Sequence, residues 1–106
     1  VVGRLPAAEA AASRVEQALA ASLGSRHPDT IAAAGVVASL FRKQNKLGEA
    51  IIAQRDIVAA SADARGDGHP STVEHKCVLA AALQGAGRRG EAERLYRQII
   101  ASGDIQ

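Results

Sequence analysis

The sequence predicts an all-α chain of about five helices, in the order B-A-B-A-B (A the first and B the second helix of each repeat), folded as antiparallel hairpins that stack on one another. Three observations carry this. Alanine dominates the 47% hydrophobic share, and the 106 residues include one Phe, one Tyr, no Trp and no Met. Aromatic side chains supply the large contact areas of most cores, so a core nearly lacking them is built by close approach of small residues, which suits tightly packed helices. Sliding the chain against itself by 42 residues aligns His27 with His69, Pro28 with Pro70, Thr30 with Thr72, Val36 with Val78 and Ala38 with Ala80. The same offset pairs "GEA" at Gly48 to Ala50 with "GEA" at Gly90 to Ala92, then Arg55 with Arg97, Ile57 with Ile99 and Ala59 with Ala101. A period of this length marks a repeat architecture whose units bury their apolar faces on one another. The third observation is the i, i+3, i+4, i+7 rhythm of buried helical stripes.

The first helix, from about Leu5 to Leu23, is an upstream copy of the B type. "GRLPAA" (Gly3 to Ala8) matches "NKLGEA" (Asn45 to Ala50) and "GRRGEA" (Gly87 to Ala92), and Val15 stands where Ile57 and Ile99 stand later. The second helix, from about Pro28 to Gln44, carries Ile31, Ala34, Val37, Ala38 and Phe41 on one stripe. Proline is tolerated in a first turn, where its missing N–H has no partner to lose, and Asp29 complements the positive end of the helix dipole. The third helix runs from about Leu47 to Ala62. The fourth, from Pro70 to about Ala86, repeats the second with Val73, Lys76, Leu79, Ala80 and Leu83, Lys76 being the polar exception. The fifth, from about Arg89 to Ala101, bears Leu95, Tyr96, Ile99 and Ile100 with no later helix to cover them.

Punctuation agrees with this division. Gly3, Asn45 and Gly87 hold one repeat position, and Gly and Asn enter the left-handed conformation that ends a helix. Gly24 and Gly66/Gly68 fall in the longer loops. The expected organisation is a single domain, 1–106, made of a partial repeat 1–26 and repeats 27–68 and 69–106. The lack of an initial Met, the half repeat and the uncovered last helix give the expectation of a segment of a longer array, or of a self-associating module.

Composition excludes several function classes. Net charge is +2, from 13 basic and 11 acidic residues that interleave; Arg42, Lys43 and Lys46 lie near Glu49, and Arg88 and Arg89 near Glu91. A nucleic-acid surface needs a basic stripe, often with aromatic platforms, so none is expected. Cys77 stands alone, so no internal disulfide or cysteine metal cluster can form, and a cytoplasmic location is expected. No stretch approaches the ~18 apolar residues of a membrane span, and "VVGRLPAAEAAASRVEQ" lacks the basic and apolar regions of a signal peptide.

The candidates for chemistry read as structure. Metal-binding histidines need convergent spacing, commonly i, i+4 on a helix, whereas His69 and His75 are six apart and His27 lies one repeat away. His27 and His69 are therefore expected to be helix-start residues. Cys77 and His75 are two apart, and such positions face different sides of a helix. Glu49 and Glu91 recur near helix starts, where a carboxylate suits the dipole. "GDGHP" lacks the lysine and the strand of a phosphate loop. No catalytic residue, metal or cofactor is expected.

"HPDTIAAAGVVASLFRKQNKLGEAIIAQRDIVAA" resembles a tetratricopeptide repeat of the 42-residue kinesin light chain type, and "HPSTVEHKCVLAAALQGAGRRGEAERLYRQII" is similar to a second copy. The resemblance rests on the HPDT helix start, the Ala38…Phe41 pair, the small residue at Ala50, and Ala80, Leu83, Ala92 and Tyr96 in the second copy. It covers nearly the whole chain and implies a right-handed superhelix whose A helices line a concave groove. Carried over, the groove positions are Ala32, Gly35, Val36, Ser39, Arg42 and Lys43, then Glu74, Cys77, Val78, Ala81 and Gln84. Gly35-Val36 and Cys77-Val78 stand where the family usually has an Asn-Asn pair that holds an extended peptide. The groove floor is thus largely apolar and suits a partner helix or peptide, or another copy of the chain. The expected function is a non-catalytic protein–protein interaction or assembly scaffold. Its alternatives are a homo-oligomerisation module and the sensor segment of a larger signalling ATPase or regulator.

Overall fold

The computed structural model describes residues 4–101, so Gly3, the first expected chain reversal, lies outside the described residues. Five α-helices follow one another: α1 (Arg4–Leu23), α2 (Pro28–Lys43), α3 (Leu47–Arg65), α4 (Pro70–Gly85) and α5 (Arg89–Ala101). No strand occurs among the described residues. The chain is all-α, and the bounds match the sequence reading closely. α3 runs on to Arg65 because "SADAR" contains no breaker before Gly66, whose φ of 97° ends it.

α2 and α4 start and stop in the same way. His27 and His69 sit in extended backbone before them, and each imidazole Nδ1 accepts the N–H two residues on, from Asp29 and Ser71, both at 3.1 Å. This satisfies one of the N–H groups that every helix leaves unpaired at its start, a task usually given to Ser, Thr, Asp or Asn. At the other end, the Lys46 N–H donates to the Phe41 carbonyl at 2.8 Å and the Asn45 N–H to Arg42 at 3.0 Å. Arg88 and Gly87 repeat the pair on Leu83 and Gln84. Both are Schellman closures, and both need a left-handed residue: Asn45 has φ 60° and Gly87 φ 82°.

Packing is sequential. α1 lies on α2, α2 on α3, α3 on α4 and α4 on α5, and among the described residues no helices two apart come within 8 Å between Cα atoms. The resulting body measures 41 × 32 × 17 Å. Its thickness suits two layers of helix with axes 8–10 Å apart. Its radius of gyration, 14.1 Å, exceeds the ~13 Å of a compact chain of about 100 residues, as a stack open at its sides should.

Small side chains bring the helices together. Ala38 and Ala80 are 0% exposed, and Ala50 and Ala92 are buried at the starts of α3 and α5. One cluster joins Ile31, Ala38 and Ile57, with Ala34, Ala53 and Ala60 against it. The other joins Ile51, Leu79, Leu83 and Ala92, with Val58 and Leu95 among its flanking residues. Lys76, the polar exception on the α4 stripe, extends its ammonium to the loop, where Asp67 meets it through its carbonyl at 3.3 Å and its carboxylate at 3.4 Å. Polar ties also cross from α3 to α4: Gln54 donates to the His75 carbonyl at 3.1 Å, and Ser61 and Thr72 share a hydroxyl hydrogen bond of 2.8 Å.

Val15, equivalent in sequence to the buried Ile57 and Ile99, is 55% exposed, because no described helix precedes α1 to give it the partners that Ile31 and Ala38 give Ile57. One expectation needs adjustment. In α5 the uncovered surface is smaller than the sequence suggests. Ile99 is buried, Leu95 packs on the Leu79–Leu83 cluster and Tyr96 is half-buried, which leaves Ile100 at 66% exposed.

Candidate functional site

The eleven expected groove residues lie where a helix at 100° per residue puts them, on the sides of α2 and α4 away from the core stripes. On α2, Ala32, Val36, Arg42 and Lys43 are exposed while Gly35 and Ser39 are half-buried. On α4, Glu74, Val78, Ala81 and Gln84 are exposed and Cys77 is a half-buried free thiol. Val36 and Val78 are thus large apolar side chains facing outward. The two rows are carried on helices whose backbones do not meet. Pro28, Ile31 and Ala32 of α2 and Ser71 and His75 of α4 line a notch of about 180 Å³ with Ser61 and Arg65 of α3.

A larger concavity lies on the opposite side of α2. It measures about 720 Å³ and runs between α1 and α3, with α2 as its floor. Thr30, Ile31, Ala34, Val37 and Phe41 contribute from α2, Ser13, Glu16 and Gln17 from α1, and residues from Glu49 to Asp63 from α3. None of the eleven groove residues lines it.

The trough exists because the two halves of the repeat are not filled alike. Shifted by 42 residues, Ala34 becomes Lys76, Ala53 becomes Leu95 and Glu16 becomes Val58. Val58 and Leu95 pack into the cluster over α4, whereas Ala34 and Ala53 leave the corresponding space over α2 empty. The rim differs too. Arg55 of α3 reaches Glu91 of α5 at 3.0 Å across α4, but the equivalent positions over α2 are Ser13 and Glu49, which cannot form such a strap. Thr30 and Thr72 are also equivalent. Thr72 has Ser61 as its partner, while Leu19 stands at the Ser61 position of α1 and the buried Thr30 hydroxyl has no partner. These contrasts were present in the sequence and are found by reading the offset for differences instead of identities.

Electrostatics tie the frame at two points. Glu9 of α1 accepts from Gln44 at 2.8 Å and from Lys46 at 3.0 Å. The Lys46 hydrogen bond, then that of Gln44, holds the Glu9 carboxyl below the usual carboxylate range, and Glu9 in turn raises the Lys46 ammonium. Lys46 also sits 5.9 Å from the centre of the Phe41 ring, within cation–π range. Glu91 is held low by Arg88 first and by Arg55 second. Around the trough the balance is different: Glu16, Glu49, Asp56 and Asp63 face it against Arg26 alone. Of these carboxylates, Glu16, Asp56 and Asp63 make no ion pair or side-chain hydrogen bond among the described residues.

Among the described residues no three His, Cys, Asp or Glu side chains converge as metal ligands. No described helix is long and apolar enough to cross a membrane. No family model matches the chain, and no curated protein matches it.

Proposed function

We propose that this chain is a non-catalytic interaction module of the tetratricopeptide kind its sequence resembles, holding a protein or peptide partner against the outward faces of α2 and α4. The observation that carries the reading is one hairpin design used twice. The imidazole cap, the buried alanine at mid-helix and the left-handed closure recur at His27/His69, Ala38/Ala80 and Asn45/Gly87. Such units stack on their neighbours, and the stack offers an extended surface for recognition. In this reading the hairpins build a right-handed superhelix with the A helices inward. Val36 and Val78 form the apolar centre of the groove, with Arg42 and Lys43 at one edge and Glu74 on the next repeat. The single free thiol Cys77 suits a cytoplasmic setting.

The test is affinity capture with the intact chain, compared with a Val36→Asp, Val78→Asp double variant whose helicity is checked by circular dichroism. Loss of the captured partner supports the groove; an unchanged partner with the folded variant rejects it. Homo-oligomerisation is the second reading, favoured by exposed Val15 on α1 and Ile100 on α5 at the two ends of the stack. Sedimentation across a concentration series decides it, and a monomer throughout rejects it.

A further inference from the structure

We infer that the trough between α1 and α3 is a second docking surface, and that its occupant is a basic amphipathic helix of about three turns supplied by a protein partner. Its size sets the kind of occupant. The lining runs from Thr30 to Phe41 on α2 and from Glu49 to Asp63 on α3, or about 16 and 21 Å at 1.5 Å per residue. A helix about 10 Å across fills roughly 120 Å³ per residue. A volume of about 720 Å³ therefore takes the inward half of roughly twelve residues at that density, which agrees with the length of the trough.

Its chemistry sets the occupant's sequence. Ile31, Ala34, Val37 and Ala53 make an apolar floor, the complement of apolar anchors at i, i+3, i+4 and i+7. Glu16, Glu49, Asp56 and Asp63 line the same trough with Arg26 as the one base, so Lys or Arg beside the anchors is attracted and Asp or Glu repelled. The buried, unpartnered Thr30 hydroxyl belongs to this lining as well. At the sibling position over α4, Leu95 and Val58 pack on the Leu79–Leu83 cluster and the Arg55–Glu91 pair spans the rim, side chains that the trough over α2 lacks. The inference uses the face of α2 opposite Val36, so it stands or falls separately from the groove proposed above.

The experiment is fluorescence anisotropy with the whole chain and a labelled fourteen-residue Leu/Lys amphipathic helix, its Glu-for-Lys counterpart, and a scrambled Leu/Lys peptide. Saturable binding of the basic helix is expected, at least ~10-fold tighter than either control and weakened by salt. Ala53→Leu, which copies the filled site, and the exposed pair Asp56→Lys, Asp63→Lys should each weaken it at least ~10-fold, while Val36→Asp, Val78→Asp leaves it unchanged. Equal binding of the acidic helix, absence of saturation, or indifference to both trough variants would overturn the inference. So would self-association of the chain that Ala53→Leu abolishes, since the occupant would then be a second copy.

Discussion

Thr30 and Thr72 occupy one repeat position with opposite hydrogen-bonding fates, and the same substitution should move stability in opposite directions. Thr72 is 0% exposed and bonded to Ser61 at 2.8 Å; Thr30 is 3% exposed with no partner for its hydroxyl. Valine keeps the shape and removes the hydroxyl. At Thr72 it deletes a buried hydrogen bond and strands the Ser61 hydroxyl, at a cost of about 1–3 kcal/mol. At Thr30 it removes an unsatisfied group, so the gain is up to about 1–2 kcal/mol. With a urea m-value of about 2 kcal/mol/M for a chain this size, a loss of about 2 kcal/mol lowers the unfolding midpoint by about 1 M. Urea titrations of the two single variants, followed by circular dichroism, measure both. The reasoning is refuted if Thr30→Val destabilises as much as Thr72→Val, which would mean that a bound water or a neighbour already satisfies Thr30.

Other consequences can be measured in the same way. His69→Ala removes the Nδ1 acceptor for the Ser71 N–H and should cost about 0.5–2 kcal/mol, whereas His69→Asn should keep most of it; equal losses would show that the imidazole acts by packing. Ala80→Leu forces four heavy-atom positions where one fits and should cost about 1–3 kcal/mol, while Ala34→Leu, beside the trough, should be neutral or stabilising in urea unfolding. The Glu9–Lys46 tie contributes stability above the ordinary carboxylate range and loses it as pH falls through the depressed Glu9 value. Since the Lys46 ammonium is raised, its side of the tie contributes fully below the ordinary lysine range and is lost as pH rises through the raised Lys46 value. Glu9→Gln should flatten the acid limb of the midpoint-against-pH curve, and added salt should shrink the difference; an unchanged acid limb would assign it to other carboxylates.

Most of the fold was legible because its information is local and stated twice. Helix starts at Pro28 and Pro70, reversals at Asn45 and Gly87, and buried stripes through Ala38 and Ala80 follow from residue type and spacing, and each copy checks the other. Exposure at the ends was harder, since it depends on what lies beyond a helix: Val15 matches Ile57 in sequence but lacks the neighbour that buries Ile57. The eleven groove positions on α2 and α4 come from the resemblance to the tetratricopeptide repeat, and helix geometry sets them on the side away from the core stripe. The helix starts at His27 and His69 are legible as punctuation, but the capping role of their imidazoles is not, because capping statistics favour shorter side chains.

The trough is not legible in what the two copies share. Aligning copies rewards identity, and identity specifies the frame: caps, reversals and alanine crossings. A cavity is set by departures from it. Ala34 against Lys76, Ala53 against Leu95 and Ser13 against Arg55 look like ordinary drift when each pair is taken alone. In space the first two pairs fall on the walls of one gap and the third on its rim. Each smaller or shorter residue takes away contacts, and dispersion lost across an empty gap is not recovered unless the walls move together. Here they cannot close easily, because α1 and α3 both pack on α2, α3 through the Ile31–Ala38–Ile57 cluster and α1 with the Glu9 tie to Gln44 and Lys46. The same rigid frame that makes the repeat legible therefore keeps the gap open. Filling it with residues from the sibling repeat should stabilise the free chain at the expense of whatever the gap admits.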